Sequence, residues 1–532
     1  MSVVPGTVET DRQPPMTVPL RHFLVASLFL LAGVIAGVWI AVGTPPASSS
    51  IAHVHLLLAG WVCVTIMGAM TQFVPVWSGV DLHSRSLATR QLQLVSLGLV
   101  GFAFGLFSGR FLLLPVFGAV MLLGFWVFVY NIARTLASVG PPSELDVTER
   151  HFAIALGFFL LLTSVGVLLA IDLVHPVLST LSASHPDPAS HLDPVSRVDV
   201  VGAHATLAVF GAVLSTVLGA LYQLATMFTQ TELHGLDVPL QRLEEVGYPI
   251  GVLALATGRL LGLHPLAAFG GVLVCVGLLA ASVVLARRLV ETRVPWTPML
   301  SRYAVLAPAM ALWALLTLPS WLRDPLATSA RFGAPGTVHL LTLGVIGFVV
   351  LGTVYHVVPF IVWVHRYSDL LGFEDVPMID DLYSDRIART DFACFLLGTL
   401  FVVVADLNAV VGLGFGNAGV ADLLRGVGGA AILVGSVAFC WNVATVVRTH
   451  SPYSIAEILF GSIAAGDADA NTGSDADQPG SDDPGTDEPT GDLSTREDPA
   501  MQGSTSDMRS PTSDRAASRR TDSGGDLPAE GS

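Results

Sequence analysis

Long apolar segments recur along most of the chain, separated by short connectors rich in proline, glycine or charge. A helix needs roughly 20 apolar residues to cross a hydrocarbon layer of about 30 Å. Twelve segments meet this requirement: 22–43, 51–76, 91–108, 111–133, 151–172, 199–228, 246–262, 266–286, 301–319, 333–364, 390–411 and 421–447. The pattern predicts an all-α integral membrane domain of about twelve transmembrane helices over residues 21–464.

The two ends of the chain differ from this membrane domain. Residues 1–20 are polar and contain prolines, which predicts a short cytoplasmic N-terminal segment. Residues 465–532 are rich in Asp, Ser and Gly and poor in large apolar side chains, so they cannot bury enough surface to fold. They are predicted to be a disordered acidic tail. The net charge of −16 comes mainly from this tail and argues against nucleic acid as a partner.

The distribution of arginine predicts the orientation of the helices. With the N-terminus inside, fifteen arginines near the segment ends lie on the inner side and six on the outer side. The excess of inner positive charge predicts a multi-pass protein of the plasma membrane with both termini cytoplasmic. The chain contains no lysine, which together with the Asp-rich tail favours a salt-adapted (halophilic) source; codon bias explains the same composition equally well.

Three of the predicted helices carry one motif, on the second helix of each of three four-helix units. The motif reads HVHLLLAGWVCVTIMGAMTQFVP from His53, HATLAVFGAVLSTVLGALYQLAT from His204 and TVHLLTLGVIGFVVLGTVYHVVP from Thr337. Aligned without gaps, the three copies share a glycine at one register: Gly68, Gly219 and Gly352. His53 then aligns with His204, and His55 aligns with His339. The sequence therefore predicts three pseudo-threefold repeats of four helices.

The motif histidines are the main candidates for chemistry. Ionisable side chains inside a bilayer are costly and usually face protein, a cofactor or water. Neutral imidazole is a good ligand for iron or copper, and haem is commonly held by histidines of facing helices. Residues two apart on a helix point about 200° apart, so His53 and His55 are not expected to bind the same iron. A hydrogen-bonded core histidine is the alternative for any one of them.

The motif resembles the ligand helices of the haem–copper oxidase subunit I superfamily, including its nitric-oxide-reductase branch. The resemblance rests on the run H-x-H-L, the following glycine, and a proline 22 residues after the first position. The segment from His53 to Gly79 also resembles the histidine helix of the NnrS-type membrane proteins, a divergent branch linked to haem and nitric oxide stress.

The resemblance implies a set of ligands for haem and copper. His53 or His55 on helix two and His339 on helix ten would hold a low-spin haem b. His204 on helix six would correspond to a copper ligand, and His264 is the only histidine near the family's paired copper ligands. The high-spin haem ligand on helix ten is replaced by Thr337, so a complete oxygen-reducing centre is not expected.

The resemblance also implies a function and partners. We expect a haem-binding membrane redox protein in respiratory electron transfer or the nitric oxide response, served by a small redox subunit or electron-donor protein. If the protein is catalytic, it is expected to be an oxidoreductase of the terminal-oxidase or nitric-oxide-reductase type. Arg425 is expected to contact a haem propionate, with Arg110 and Arg259 as alternatives. A twelve-helix secondary transporter and a non-catalytic assembly subunit are the competing hypotheses. No acidic residue is recognised deep in the inner half of a segment, so proton pumping is not predicted.

Overall fold

The computed structural model describes residues 14–184, 195–411 and 418–461, and these are almost entirely helical. The long helices are α1 Thr17–Val42, α2 Ser49–Ser78, α3 Arg85–Phe107, α4 Leu113–Leu136, α5 Val147–Val174, α6 Arg197–Thr229, α7 Asp237–Leu260, α8 His264–Val290, α9 Pro298–Arg323, α10 Leu340–Arg366, α11 Asp385–Val411 and α12 Ala418–His450. Each predicted segment corresponds to one of them. The predicted acidic tail and most of the N-terminal segment lie outside the described residues.

Eleven of these described helices are long and apolar enough to cross a membrane. The exception is α7, whose first half carries the charged residues Asp237, Arg242, Glu244 and Glu245. Its apolar second half packs tightly along α8: a Cβ at Gly258 would lie 2.4 Å from the backbone nitrogen of Ala267. The predicted segment 246–262 is therefore the apolar part of a longer helix with a charged beginning.

Several helices begin before the apolar run that predicted them, because polar side chains cap their first turns. α5 begins at a capping box in which the Asp146 side chain accepts from the backbone of Glu149 and the Glu149 side chain accepts from that of Asp146. α6 begins at a similar box between Ser196 and Asp199. Hydropathy marks the apolar body of each helix, whereas the caps determine where it starts.

The helices pack as three four-helix units in chain order. Within each unit the first helix lies along the second, and the third and fourth form the closest pair; α12 packs back on α1 and closes the ring. The shared motif glycines face equivalent residues of the first helices: Gly68 faces His22, Gly219 faces His151 and Gly352 faces Arg302. A Cβ at Gly219 would lie 2.4 Å from Cβ of His151, so glycine permits this close approach. The second helices α6 and α10 are the most deeply buried spans.

Candidate functional site

A wide helical turn follows the motif histidines on each of the three second helices. The π-helical segments are Leu56–Val62 in α2, Leu207–Val213 in α6 and Leu340–Gly347 in α10. π turns are rare and are frequent at functional sites. The residues directly before them are His55, Thr206 and His339, which occupy one register of the repeat. Each of the three second helices therefore has the same wide turn directly after its motif residues.

His53 points from α2 toward α1. Its Nδ1 donates a hydrogen bond of 2.8 Å to the backbone carbonyl of Gly33. Gly37 leaves room for the ring, since a Cβ there would lie 2.6 Å from Cε1 of His53. A carbonyl oxygen only accepts, so Nδ1 carries the proton and Nε2 keeps its lone pair. The ring is therefore held in the tautomer that a metal-binding Nε2 requires.

His339 is held by a carboxylate instead of a carbonyl. Its Nδ1 lies 2.5 Å from Oδ2 of Asp406 on α11, and Nε of Arg425 donates a 3.3 Å hydrogen bond to the other oxygen of Asp406. His53 and His339 lie close enough to interact electrostatically. This role of Asp406 was not predicted from the sequence, because a position near the end of a helix does not indicate which side chain the residue meets.

His55 faces the other side of α2 and meets His204 of α6. The two ring centres are 6.5 Å apart and the ring planes differ by 16°. Nδ1 of His55 is bonded to the carbonyl of Ile51 at 2.8 Å, and Nδ1 of His204 to the carbonyl of Leu162 at 3.0 Å. Both rings therefore keep Nε2 as the atom with a lone pair. From the sequence, His55 is predicted as an alternative to His53, whereas in the structure the two residues have different partners.

A cavity of about 390 Å³ adjoins the pair of His55 and His204. Its wall consists mainly of apolar side chains from α2, α3, α4, α5 and α6, including Phe102 and Phe125, and Arg197 and Arg331 also line it. Arg197 is paired with Asp172 at 2.7 Å. The guanidinium of Arg331 makes no hydrogen bond or ion pair with any side chain or carbonyl that the structure describes, and burial lowers its pKa.

Among the residues that the structure describes, no histidine pair lies at the interface between the second and third units. The registers of His53 and His339 are occupied there by Thr337 and Thr206. Arg259 donates from Nη1 to the Thr206 hydroxyl at 2.8 Å and lies over the ring of Trp321. The residues eleven positions after His22, His151 and Arg302 are Gly33, Leu162 and Trp313. In the first two interfaces, the backbone carbonyls of Gly33 and Leu162 accept hydrogen bonds from histidines. At the same register of the third interface stands the large, fully buried side chain of Trp313, which fills the space.

The opposite end of the bundle contains buried polar pairs between the first and third helices of each unit. These pairs are His22 with Gln91, His151 with Glu244, and Arg302 with Asp391. Glu244 and Asp391 are fully buried, and each also accepts a hydrogen bond from a motif-helix tyrosine, Tyr222 and Tyr355 respectively. No acidic residue was predicted deep in the inner half of a segment. Glu244 precedes the predicted segment 246–262 and Asp391 stands at the start of the segment 390–411, yet both are fully buried.

The remaining candidates from the sequence make contacts other than those predicted. His264 stands at the start of α8, where its Nε2 is 3.1 Å from the carbonyl oxygen of Arg323. Arg110 lies over the ring of Phe104. The guanidinium of Arg259 donates hydrogen bonds to the hydroxyl of Thr206 and to nearby carbonyls. Among the described residues no group of three or more His, Cys, Asp or Glu side chains is arranged to hold a bare metal ion.

Comparison with known proteins bears on the fold. No protein-family model and no curated protein sequence matches the chain. A solved structure of a haem–copper terminal oxidase dimer matches with a TM-score of 0.61 at 14% sequence identity, over 83% of this chain and 84% of that one. The chain therefore has the fold of the haem–copper terminal oxidases, as the motif predicted. The closer likeness to the NnrS-type proteins stays a prediction.

Proposed function

We propose that this chain is a haem-binding membrane redox protein in which His53 and His339 ligate a low-spin haem b between α2 and α10. The observation that carries the proposal is the paired anchoring of the two rings. Nδ1 of His53 is bonded to the Gly33 carbonyl and Nδ1 of His339 to the Asp406 carboxylate. Histidines that bind metals almost always donate their second ring N–H to such an oxygen, which orients the ring and raises its basicity.

Asp406 and Arg425 have distinct roles in this proposal. The carboxylate of Asp406 makes the His339 ring a stronger electron donor, and Arg425 balances the charge of that carboxylate. Arg425 was expected from the sequence to meet a haem propionate. In the structure its Nε and Nη1 are engaged by Asp406 and Asp422, so we assign it first to positioning Asp406. A propionate contact through its remaining nitrogen stays a prediction.

The filled third interface favours an electron carrier over an oxygen-reducing enzyme. A reductase needs an open coordination position next to a second metal. Thr337, Thr206 and Arg259 occupy the interface where the oxidase resemblance would place those ligands. We therefore propose electron transfer through a six-coordinate haem, within a respiratory chain or in response to nitric oxide, with an electron-donor protein as partner.

The test is the visible spectrum of detergent-purified protein from cells supplied with haem. The wild type should show a six-coordinate, low-spin haem b. His339→Ala should lose the His53–His339 haem or convert it to high spin, while His264→Ala, which changes a histidine away from the site, should leave the spectrum unchanged. A colourless wild type, or an unchanged spectrum in His339→Ala, would refute the proposal.

A further inference from the structure

We propose that His55 and His204 form a second bis-histidine haem site, between α2 and α6, distinct from the site of His53 and His339. Two imidazoles that bind one metal atom at about 2 Å from each ligating nitrogen have ring centres roughly 6 to 6.5 Å apart. The observed separation is 6.5 Å with nearly parallel rings. Both Nδ1 atoms are engaged by backbone carbonyls, which leaves Nε2 of each ring as the ligating atom.

The ligand chemistry favours a porphyrin over a bare metal ion. A bare copper or zinc ion requires three or four protein ligands, and the described residues offer no such group here. A porphyrin supplies four nitrogens itself and needs only two axial histidines. The adjoining cavity of about 390 Å³ falls in the range of about 300–1,000 Å³ typical of pockets for small-molecule ligands and cofactors.

The wall of the cavity suits the two parts of a haem. Apolar side chains such as Phe102 and Phe125 form most of the surface, which is appropriate for the macrocycle. Arg331 brings a guanidinium without a protein partner among the described residues, and Arg259 lies near enough to repel it. Two neighbouring guanidinium groups without a carboxylate between them favour the binding of an anion. Arg331 would pair with one propionate, and Arg197, whose Nη1 is engaged by Asp172 and the Leu169 carbonyl, would offer its other nitrogens to the second.

The internal symmetry of the chain supports the same conclusion independently. His204 has the repeat register of His53, and His55 has that of His339. A Cβ at Gly166 would lie 3.0 Å from Cε1 of His204, just as a Cβ at Gly37 would lie 2.6 Å from Cε1 of His53. The pair of His55 and His204 is therefore a rotated copy of the first pair. The third copy lost both histidines and is filled, whereas the second kept its histidines and its open space.

The experiment counts haems per chain in purified wild type and in two variants. Two low-spin haems are expected in the wild type, one low-spin haem in His204→Ala and one in His339→Ala. The control His264→Ala should retain two. One haem in the wild type that persists in His204→Ala and is lost in His339→Ala would overturn the second site and leave the proposed function intact. One haem lost only in His204→Ala would support the second site and refute the His53–His339 site.

A second variant separates ligation from a packing defect. His204→Gly leaves a space the size of the lost ring, so added imidazole should restore the second haem and its low-spin spectrum. Size-exclusion chromatography establishes that the variant is folded. A folded His204→Gly protein that holds one haem with and without imidazole would overturn the assignment of His204 as ligand.

Discussion

Gly37 controls the position of His53, and replacing it with alanine tests that position directly. The new Cβ would lie 2.6 Å from Cε1 and 3.1 Å from Nδ1 of His53. Carbon atoms in favourable contact are about 3.5–4.0 Å apart, so the ring must move by about 1 Å. That movement stretches its 2.8 Å hydrogen bond to Gly33 beyond useful range.

The magnitude follows from three opposing contributions. Overpacking of this kind costs about 1–3 kcal/mol, and loss of the hydrogen bond costs about 0.5–1.5 kcal/mol. Alanine in a helix returns up to about 1 kcal/mol relative to glycine. The free energy of unfolding should therefore fall by about 0.5–4.5 kcal/mol, and the displaced ring should weaken the low-spin haem signal.

The measurement is thermal unfolding in detergent, together with the visible spectrum. Gly157 in α5 is the matched control, because a Cβ there meets nothing within 4 Å. Gly157→Ala should leave the spectrum unchanged and keep or raise the midpoint temperature. If Gly37→Ala unfolds at the same temperature as Gly157→Ala and retains the full low-spin signal, His53 is not held between α1 and α2 as described.

Two further substitutions test the environment of His339 and the buried polar pairs. Asp406→Asn should lower haem affinity about 10–100-fold, as loss of such a supporting carboxylate typically does. The control Asp422→Asn, at an exposed residue, should have little effect. Equal haem affinities of the two variants in a titration would contradict the role of Asp406. Arg302→Ala should destabilise the fold by about 3–5 kcal/mol because it leaves the fully buried Asp391 without its cation. Arg389→Ala, which breaks an exposed pair, should change the unfolding midpoint little, and similar midpoints for both arginine variants would argue against the buried pair.

The sequence was sufficient to predict the helices and the threefold repeat, because both depend on regular spacing. Apolar length identified each span, and the aligned glycines proved to mark the close approach of the first two helices in each unit. The same alignment placed four histidines at one end of the bundle. These features require no knowledge of which helices are neighbours.

Only the tertiary structure could establish which histidines pair with each other and which residues hold their rings in place. The angle between His53 and His55 indicates opposite faces of α2, but it does not say that one face meets α10 and the other α6. Asp406 and Glu244 were not recognised as site residues for a related reason. Asp406 stands near a helix end where exposure to water is cheap, and Glu244 precedes the apolar run of α7. The partners of both residues, and the burial of Glu244, arise from neighbouring helices that are distant in sequence.

The two proposals together define how electrons would cross this protein. His53 and His55 stand on opposite faces of α2, so two haems would lie on either side of one helix, whose diameter is about 10 Å. With two histidines on each iron, neither haem offers an open position for oxygen. The third interface, where a reaction centre would be expected from the oxidase fold, is filled by Trp313 and Arg259. A bundle with two such sites and a closed third is suited to passing electrons between partners rather than to consuming them at a bound gas.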